Sequence, residues 1–96
     1  MKGYWIIFGA GVVDSDSQQE YSRLWAPICE KYTAKIKVLE SGALVEAHSS
    51  SRVLVVEFPD YEKAIACYND PAYSDAKQFA IRAYRREVVI IEGDLP

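Results

Sequence analysis

His48 is the single histidine of the chain, so imidazole chemistry near neutral pH has to use it. Glu46 lies two positions back on the same strand face, and Arg52 follows across a short turn. Both are placed to orient His48 as a general acid or base. The plain alternative, for a histidine followed by Ser49, Ser50 and Ser51, is a solvated turn. Glu57 and Glu92 end otherwise apolar stretches. A carboxylate buried against aromatic walls has a raised pKa and shuttles a proton, whereas one that faces water or accepts hydrogen bonds from tyrosine or Arg82 is structural. Arg82 offers a bidentate fork to an anionic substrate, or pairs one of those glutamates. His48, Glu57 and Arg82 are therefore the candidate catalytic residues.

Seven tyrosines and two tryptophans supply the second set. Tyr21, Trp25, Tyr32, Tyr68 and Tyr84 fall on helical stripes, while Tyr4 and Trp5 point to opposite faces of one strand. Such a lining stacks on a flat aromatic molecule, with phenol groups fixing its polar edge, or else it is ordinary core. The candidate binding residues are Tyr4, Trp5, Tyr21, Trp25 and Tyr68, with Glu92 as a polar anchor. Gly9-Ala10-Gly11 begins like a dinucleotide fingerprint, but Asp14 stands where the third glycine belongs. No Walker A sequence, paired metal-ligand histidines or nucleophile elbow occurs, so neither a cofactor nor a metal is expected. Cys29 and Cys67 form no CxxC pair and read as reduced, helix-packing residues. Arg85-Arg86 reads as the basic complement to the end of a helix dipole.

The elements that must position these groups follow from spacing and punctuation. Tyr4 to Phe8 is aromatic and β-branched, a strand continuing through Gly9 and Gly11 to Val13. Asp14 to Ser17 is a capping cluster, with Ser17 and Glu20 fitting a capping box. Tyr21, Leu24, Trp25, Ile28 and Tyr32 then recur at helical spacing, and Pro27 predicts a kink. Lys35 to Leu39 alternates as a half-buried strand, Ser41-Gly42 bends, and Leu44 to Ala47 extends again. Arg52 to Phe58 is a strand apolar on both faces. Asp60 caps a second helix carrying Tyr61, Ala64, Ile65 and Tyr68. Asp70 and Pro71 open a third with Tyr73, Ala76, Phe79, Ala80, Ala83 and Tyr84. Glu87 to Glu92 is the last strand, closed by Gly93.

This order, β-α-β-β-α-β with its second helical stretch split in two, predicts an α+β ferredoxin-like fold: a four-stranded antiparallel sheet with its helices on one face. The 96 residues, 10.8 kDa, form one domain over 1–96. A net charge of -3 and a pI of 5.1 argue against nucleic acid as a partner. No apolar run reaches the roughly 20 residues needed to cross a bilayer, and none forms a signal core, so a cytoplasmic location is expected. Half of the side chains are apolar. The surplus lies on the helix-free faces of the first, third and last strands, within a four-stranded sheet face of roughly 400 Å² projected area. A patch of that size predicts a partner, and a second copy of the same sheet covers it in a two-fold dimer.

The stretch Val56-Glu57-Phe58-Pro59-Asp60-Tyr61-Glu62-Lys63-Ala64, continuing through Tyr68-Asn69-Asp70-Pro71-Ala72-Tyr73, resembles the domain-of-unknown-function 1330 family. Gly3-Tyr4-Trp5, the helix bearing Tyr21, Pro27 and Tyr32, and the closing Ile91-Glu92-Gly93 are similar to the same family, so the resemblance spans nearly the whole chain. Thr33-Ala34 departs from it, since members commonly carry paired glycines there. The resemblance implies a dimeric α/β barrel, related to a superfamily that includes cofactor-independent monooxygenases and muconolactone isomerases. It implies no particular reaction. The expected protein is thus a small homodimeric barrel that binds a small, mostly apolar or aromatic molecule, with proton transfer or cofactor-free oxygenation as its chemistry. The competing expectation is a non-catalytic dimerisation or stress-response module.

Overall fold

A computed structural model describes residues 1–9, 13–38, 45 and 52–93. Its elements in chain order are β1 (Gly3–Gly9), α1 (Ser15–Lys31), β2 (Lys35–Val38), β3 (Arg52–Phe58), α2 (Tyr61–Asn69), α3 (Pro71–Ala83) and β4 (Arg86–Glu92). The strands form one sheet in the order β2-β3-β1-β4, with every neighbouring pair antiparallel. This is the expected ferredoxin-like arrangement. The bend at Ser41-Gly42, the extended segment Leu44 to Ala47, the turn at His48 to Ser51 and the strand's continuation through Ala10 to Val12 fall wholly or largely outside the described residues.

Register explains how the faces sort. Trp5 sits opposite Val56 and Ile90, and Ile7 opposite Leu54 and Val88, so these alternate residues point toward the helices. Tyr4, Ile6 and Phe8 point the other way, beside Glu57, Val55 and Val53 on one neighbour and Ile91, Val89 and Glu87 on the other. Trp5, wholly buried, is the hub of the core. Its ring lies 5.0 Å from Tyr73, 5.1 Å from Phe58, 5.5 Å from Trp25 and 5.6 Å from Tyr68, measured between centroids. Its indole N–H donates to the Ala64 carbonyl at 2.9 Å, so its one polar atom is satisfied inside the core.

The helices are not equally close to the sheet. α2 packs on β1, β3 and β4, whereas α1 packs chiefly on α3. Small residues permit the first contact: a Cβ at Gly3 would lie 2.7 Å from the Tyr61 Cα and 2.9 Å from the Ala64 Cβ. Ala76, Ala80 and Ala83, all fully buried, give α3 a buried face of small residues.

Caps follow the chemistry of short polar side chains. Asp60 accepts from the Lys63 amide, and Asp70 accepts from the Ala72 amide with Pro71 just inside α3, both as expected. For α1 the expected capping box at Ser17 and Glu20 is corrected. Asp14 is the N-cap, accepting from both the amide and the hydroxyl of Ser17, because an aspartate one turn earlier satisfies the free amides first. α1 also runs unbroken through Pro27, which is exposed. Arg86, expected at a helix end, is instead the first residue of β4, since α3 stops at Ala83 with Tyr84 as its C-cap.

Candidate functional site

α1 packs against α3 and reaches the sheet through Trp25 and Ile28, and beside them a cavity of about 200 Å³ remains between α1 and the strands. Trp5, Ile7, Leu54 and Val56 line it from β1 and β3, and Ile36 from β2. Tyr21, Ser22 and Trp25 line it from α1, with Tyr84 just beyond α3. Three residues complete it: Gly9 at the end of β1, Arg52 at the start of β3 and Arg86 at the start of β4.

The polar end is organised by one guanidinium. Arg86 Nη2 donates to the Tyr73 hydroxyl at 2.9 Å, and that hydroxyl lies 3.2 Å from the Tyr21 hydroxyl. The guanidinium carbon is also 5.7 Å from the centre of the Tyr21 ring, within cation–π reach. Burial holds the Tyr21 phenol well above the ordinary tyrosine pKa, so it stays protonated and acts as a hydrogen-bonding group. Tyr21 stacks nearly parallel to Trp25, 6.4 Å between centroids, forming an aromatic wall. Among the described residues no carboxylate pairs with Arg52 or Arg86, and no group of three His, Cys, Asp or Glu side chains is set to hold a metal.

The structure brings together only some of the candidates named from sequence. Trp5, Tyr21 and Trp25 converge on the cavity. Tyr68 stands behind Trp5 in the core, 5.5 Å from Tyr73, with the Lys77 ammonium over its ring. Tyr4 is buried on the opposite sheet face. Glu92 is exposed at the end of β4, and Arg82 is exposed on α3 with its guanidinium 5.5 Å from the Phe79 ring centre. His48 lies outside the described residues. Of the two readings of Glu57, a proton shuttle with a raised pKa and a structural carboxylate, the first does not hold. Glu57 shares the helix-free face with Tyr4, its Oε1 accepts from Lys2 Nζ at 3.0 Å, and Lys37 Nζ lies 3.6 Å away. The Lys2 hydrogen bond outweighs burial and holds the carboxyl below its usual range.

Arg86, Tyr73 and Gly9 were missed. Counting back by twos from Ile90 and Val88 puts Arg86 on the cavity face, but that signal was masked by reading Arg85-Arg86 as helix end. Tyr73 belongs to a stripe that reads equally well as core, which in part it is.

A four-stranded antiparallel sheet in this order, helices on one face and an aromatic cavity beneath α1, defines a ferredoxin-like α+β domain. The family model described as domain of unknown function (DUF1330) matches residues 2–94, and the chain belongs to that family. Among curated proteins none matches the sequence. Solved structures share the fold. A protein of unknown function from Rhodopseudomonas palustris is 13% identical with a TM-score of 0.69, over 99% of this chain and 84% of that one. A dimeric, ferredoxin-like protein of unknown function from Bacteroides fragilis is 14% identical with a TM-score of 0.53, over 96% of each chain. SnoaB, a cofactor-independent oxygenase from Streptomyces nogalater, is 9% identical with a TM-score of 0.55, over 99% of this chain and 93% of that one. Among the described residues no helix is long and apolar enough to cross a membrane.

Proposed function

We propose that this protein is a homodimer whose protomers each bind a small, mostly apolar aromatic molecule in the cavity beneath α1. The observation that carries the reading is the composition of that cavity: both tryptophans of the chain line it, with two tyrosines and four aliphatic side chains. An engineered apolar cavity of about 150 Å³ takes up benzene, so the volume here suits a single ring with a short substituent. Trp25 and Tyr21 supply a stacking wall, and the Tyr21 phenol supplies a hydrogen bond to a polar edge.

Proton transfer or cofactor-free oxygenation is the chemistry that suits such a ligand, with His48 retained as a candidate participant; Glu57, on the opposite sheet face, and Arg82, exposed on α3, stand outside the lining. The fold shared with SnoaB supports the oxygenase form of this reading by analogy alone. Dimerisation is supported by the apolar residues on the sheet face away from the helices, with Val89 45% exposed among them, and by the dimeric neighbour of the same fold. A second copy matches that face in size and chemistry.

Both tryptophans report on the cavity, so their fluorescence tests occupancy directly. A panel of one-ring aromatic compounds is expected to include binders that perturb it, and Leu54→Trp, which fills the space, is expected to abolish the effect with the circular dichroism retained. Unchanged ligand binding in a folded Leu54→Trp protein would refute the site. Sedimentation at micromolar concentration is expected to give twice the 10.8 kDa chain mass. A stable monomer would refute the dimer.

A further inference from the structure

Gly9 occupies a singular place in the cavity lining. In the register of the sheet it pairs with Arg52 on one side and Arg86 on the other, so the two arginines flank the one lining residue that has no side chain. All three lie on the helix-facing side. The arginine backbones are two strand spacings apart, roughly 10 Å, with open backbone between them. A Cβ at Gly9 would stand 3.2 Å from the Arg85 carbonyl oxygen and 3.4 Å from the Arg86 Cβ, so the glycine keeps this strip clear.

Among the described residues the charges here are unbalanced. The described residues lining the cavity include two guanidinium groups and no carboxylate. Arg86 is half-buried, and its polar partners among the described residues are the neutral hydroxyls of Tyr73 and Tyr21, with no carboxylate. Arg52 makes no ion pair among the described residues. Elsewhere the chain does pair its charges: Lys2 and Lys37 with Glu57, Lys31 with Asp70. Two like charges facing one largely apolar space raise each other's energy, and an anion between them relieves both.

We infer that the ligand is an aromatic acid, whose ring lies between Trp25, Tyr21 and Leu54 and whose carboxylate sits over Gly9 between Arg52 and Arg86. The inference rests on the cavity being a ligand site and adds the charge class of the ligand. Guanidinium groups suit this role because their forked donors match the two oxygens of a carboxylate. Tyr73 then acts as a positioning residue, holding the Arg86 guanidinium from behind.

The test is calorimetric titration of the wild-type protein with matched pairs, cinnamate against cinnamamide and phenylpropanoate against phenylpropanamide. The acids are expected to bind about ten- to a hundredfold tighter than the amides, the scale of one charge-assisted hydrogen bond, with the advantage shrinking as salt is added. Arg52→Gln and Arg86→Gln are each expected to remove most of that advantage, read as the ratio of acid to amide affinity within the same variant. Amides that bind as tightly as the acids would overturn the charge assignment and leave the cavity as a ligand site. Failure of all four compounds to bind would overturn both. The acid-to-amide comparison uses wild-type protein, so it decides the matter even where Arg86→Gln fails to fold.

Discussion

Replacing Thr33 by glycine is expected to stabilise this protein. Thr33 follows the end of α1 with a φ of 53°, the left-handed region. Its turn is closed by the Ala34 amide donating to the Cys29 carbonyl at 2.9 Å and the Thr33 amide donating to the Glu30 carbonyl at 3.2 Å. These two bonds are the Schellman pattern, which requires a left-handed residue just past the cap and ordinarily uses glycine there. An L-residue in that conformation crowds its own Cβ against the following carbonyl at a cost of about 1–2 kcal/mol. Glycine removes the crowding but loses about 0.4–1 kcal/mol through the freer unfolded chain. Thr33 is exposed, so no packing is forfeited. The net gain is about 0.5–1 kcal/mol, a rise of about 2–8 °C in melting temperature for a domain of this size. Thermal melts of wild type, Thr33→Gly and Thr33→Ala at equal protein concentration check this, with alanine expected to gain least because it keeps the Cβ. A Thr33→Gly protein with native circular dichroism that melts at or below wild type would refute the reasoning.

Asp70 binds Lys31 Nζ at 2.8 Å and the Tyr32 hydroxyl at 2.5 Å, and these bonds lower its pKa from 3.8 to about 2. A carboxyl whose folded pKa lies below its unfolded one stabilises above pH 3.8 and loses that contribution as pH falls toward 2. Asp70→Asn is therefore expected to lower the melting temperature at pH 7 and to flatten its decline across that acid window, read from melts at stepped pH. Gly3→Ala drives a Cβ into the Tyr61 Cα and Ala64 Cβ of α2, and is expected to destabilise by about 1–3 kcal/mol in urea unfolding. Cys67 is fully buried with its thiol pKa pushed up to about 12, whereas Cys29 is half-buried. A thiol reagent at pH 8 is expected to label Cys29 first and Cys67 only after denaturant is added, as peptide mass mapping will show.

The fold was legible because its signals are local. Strand alternation around Trp5, Val56 and Ile90, the Asp60 and Asp70 caps, and Pro71 at a helix start each depend on a few adjacent residues, and the element order then leaves few topologies. The site was legible only in part. Trp5, Tyr21 and Trp25 were recognised as a possible lining, yet nothing along the chain distinguishes an aromatic stripe that fills a core from one that walls a space. Glu57 stayed open between a proton shuttle and a structural carboxylate because its partner Lys2 is 55 residues away in sequence, and the sign of a pKa shift is set by that neighbour.

Sequence by itself determined which residues face the helices, since side-chain direction alternates along a strand as soon as the strand is recognised. It also determined the sheet order. Only the tertiary structure decided that α1 packs along α3 and leaves a cavity between itself and the strands, and that Arg52, Gly9 and Arg86 meet on adjacent strands. The reason is physical: local spacing sets directions, but a cavity and its charge are differences between surfaces that meet only when the chain closes on itself.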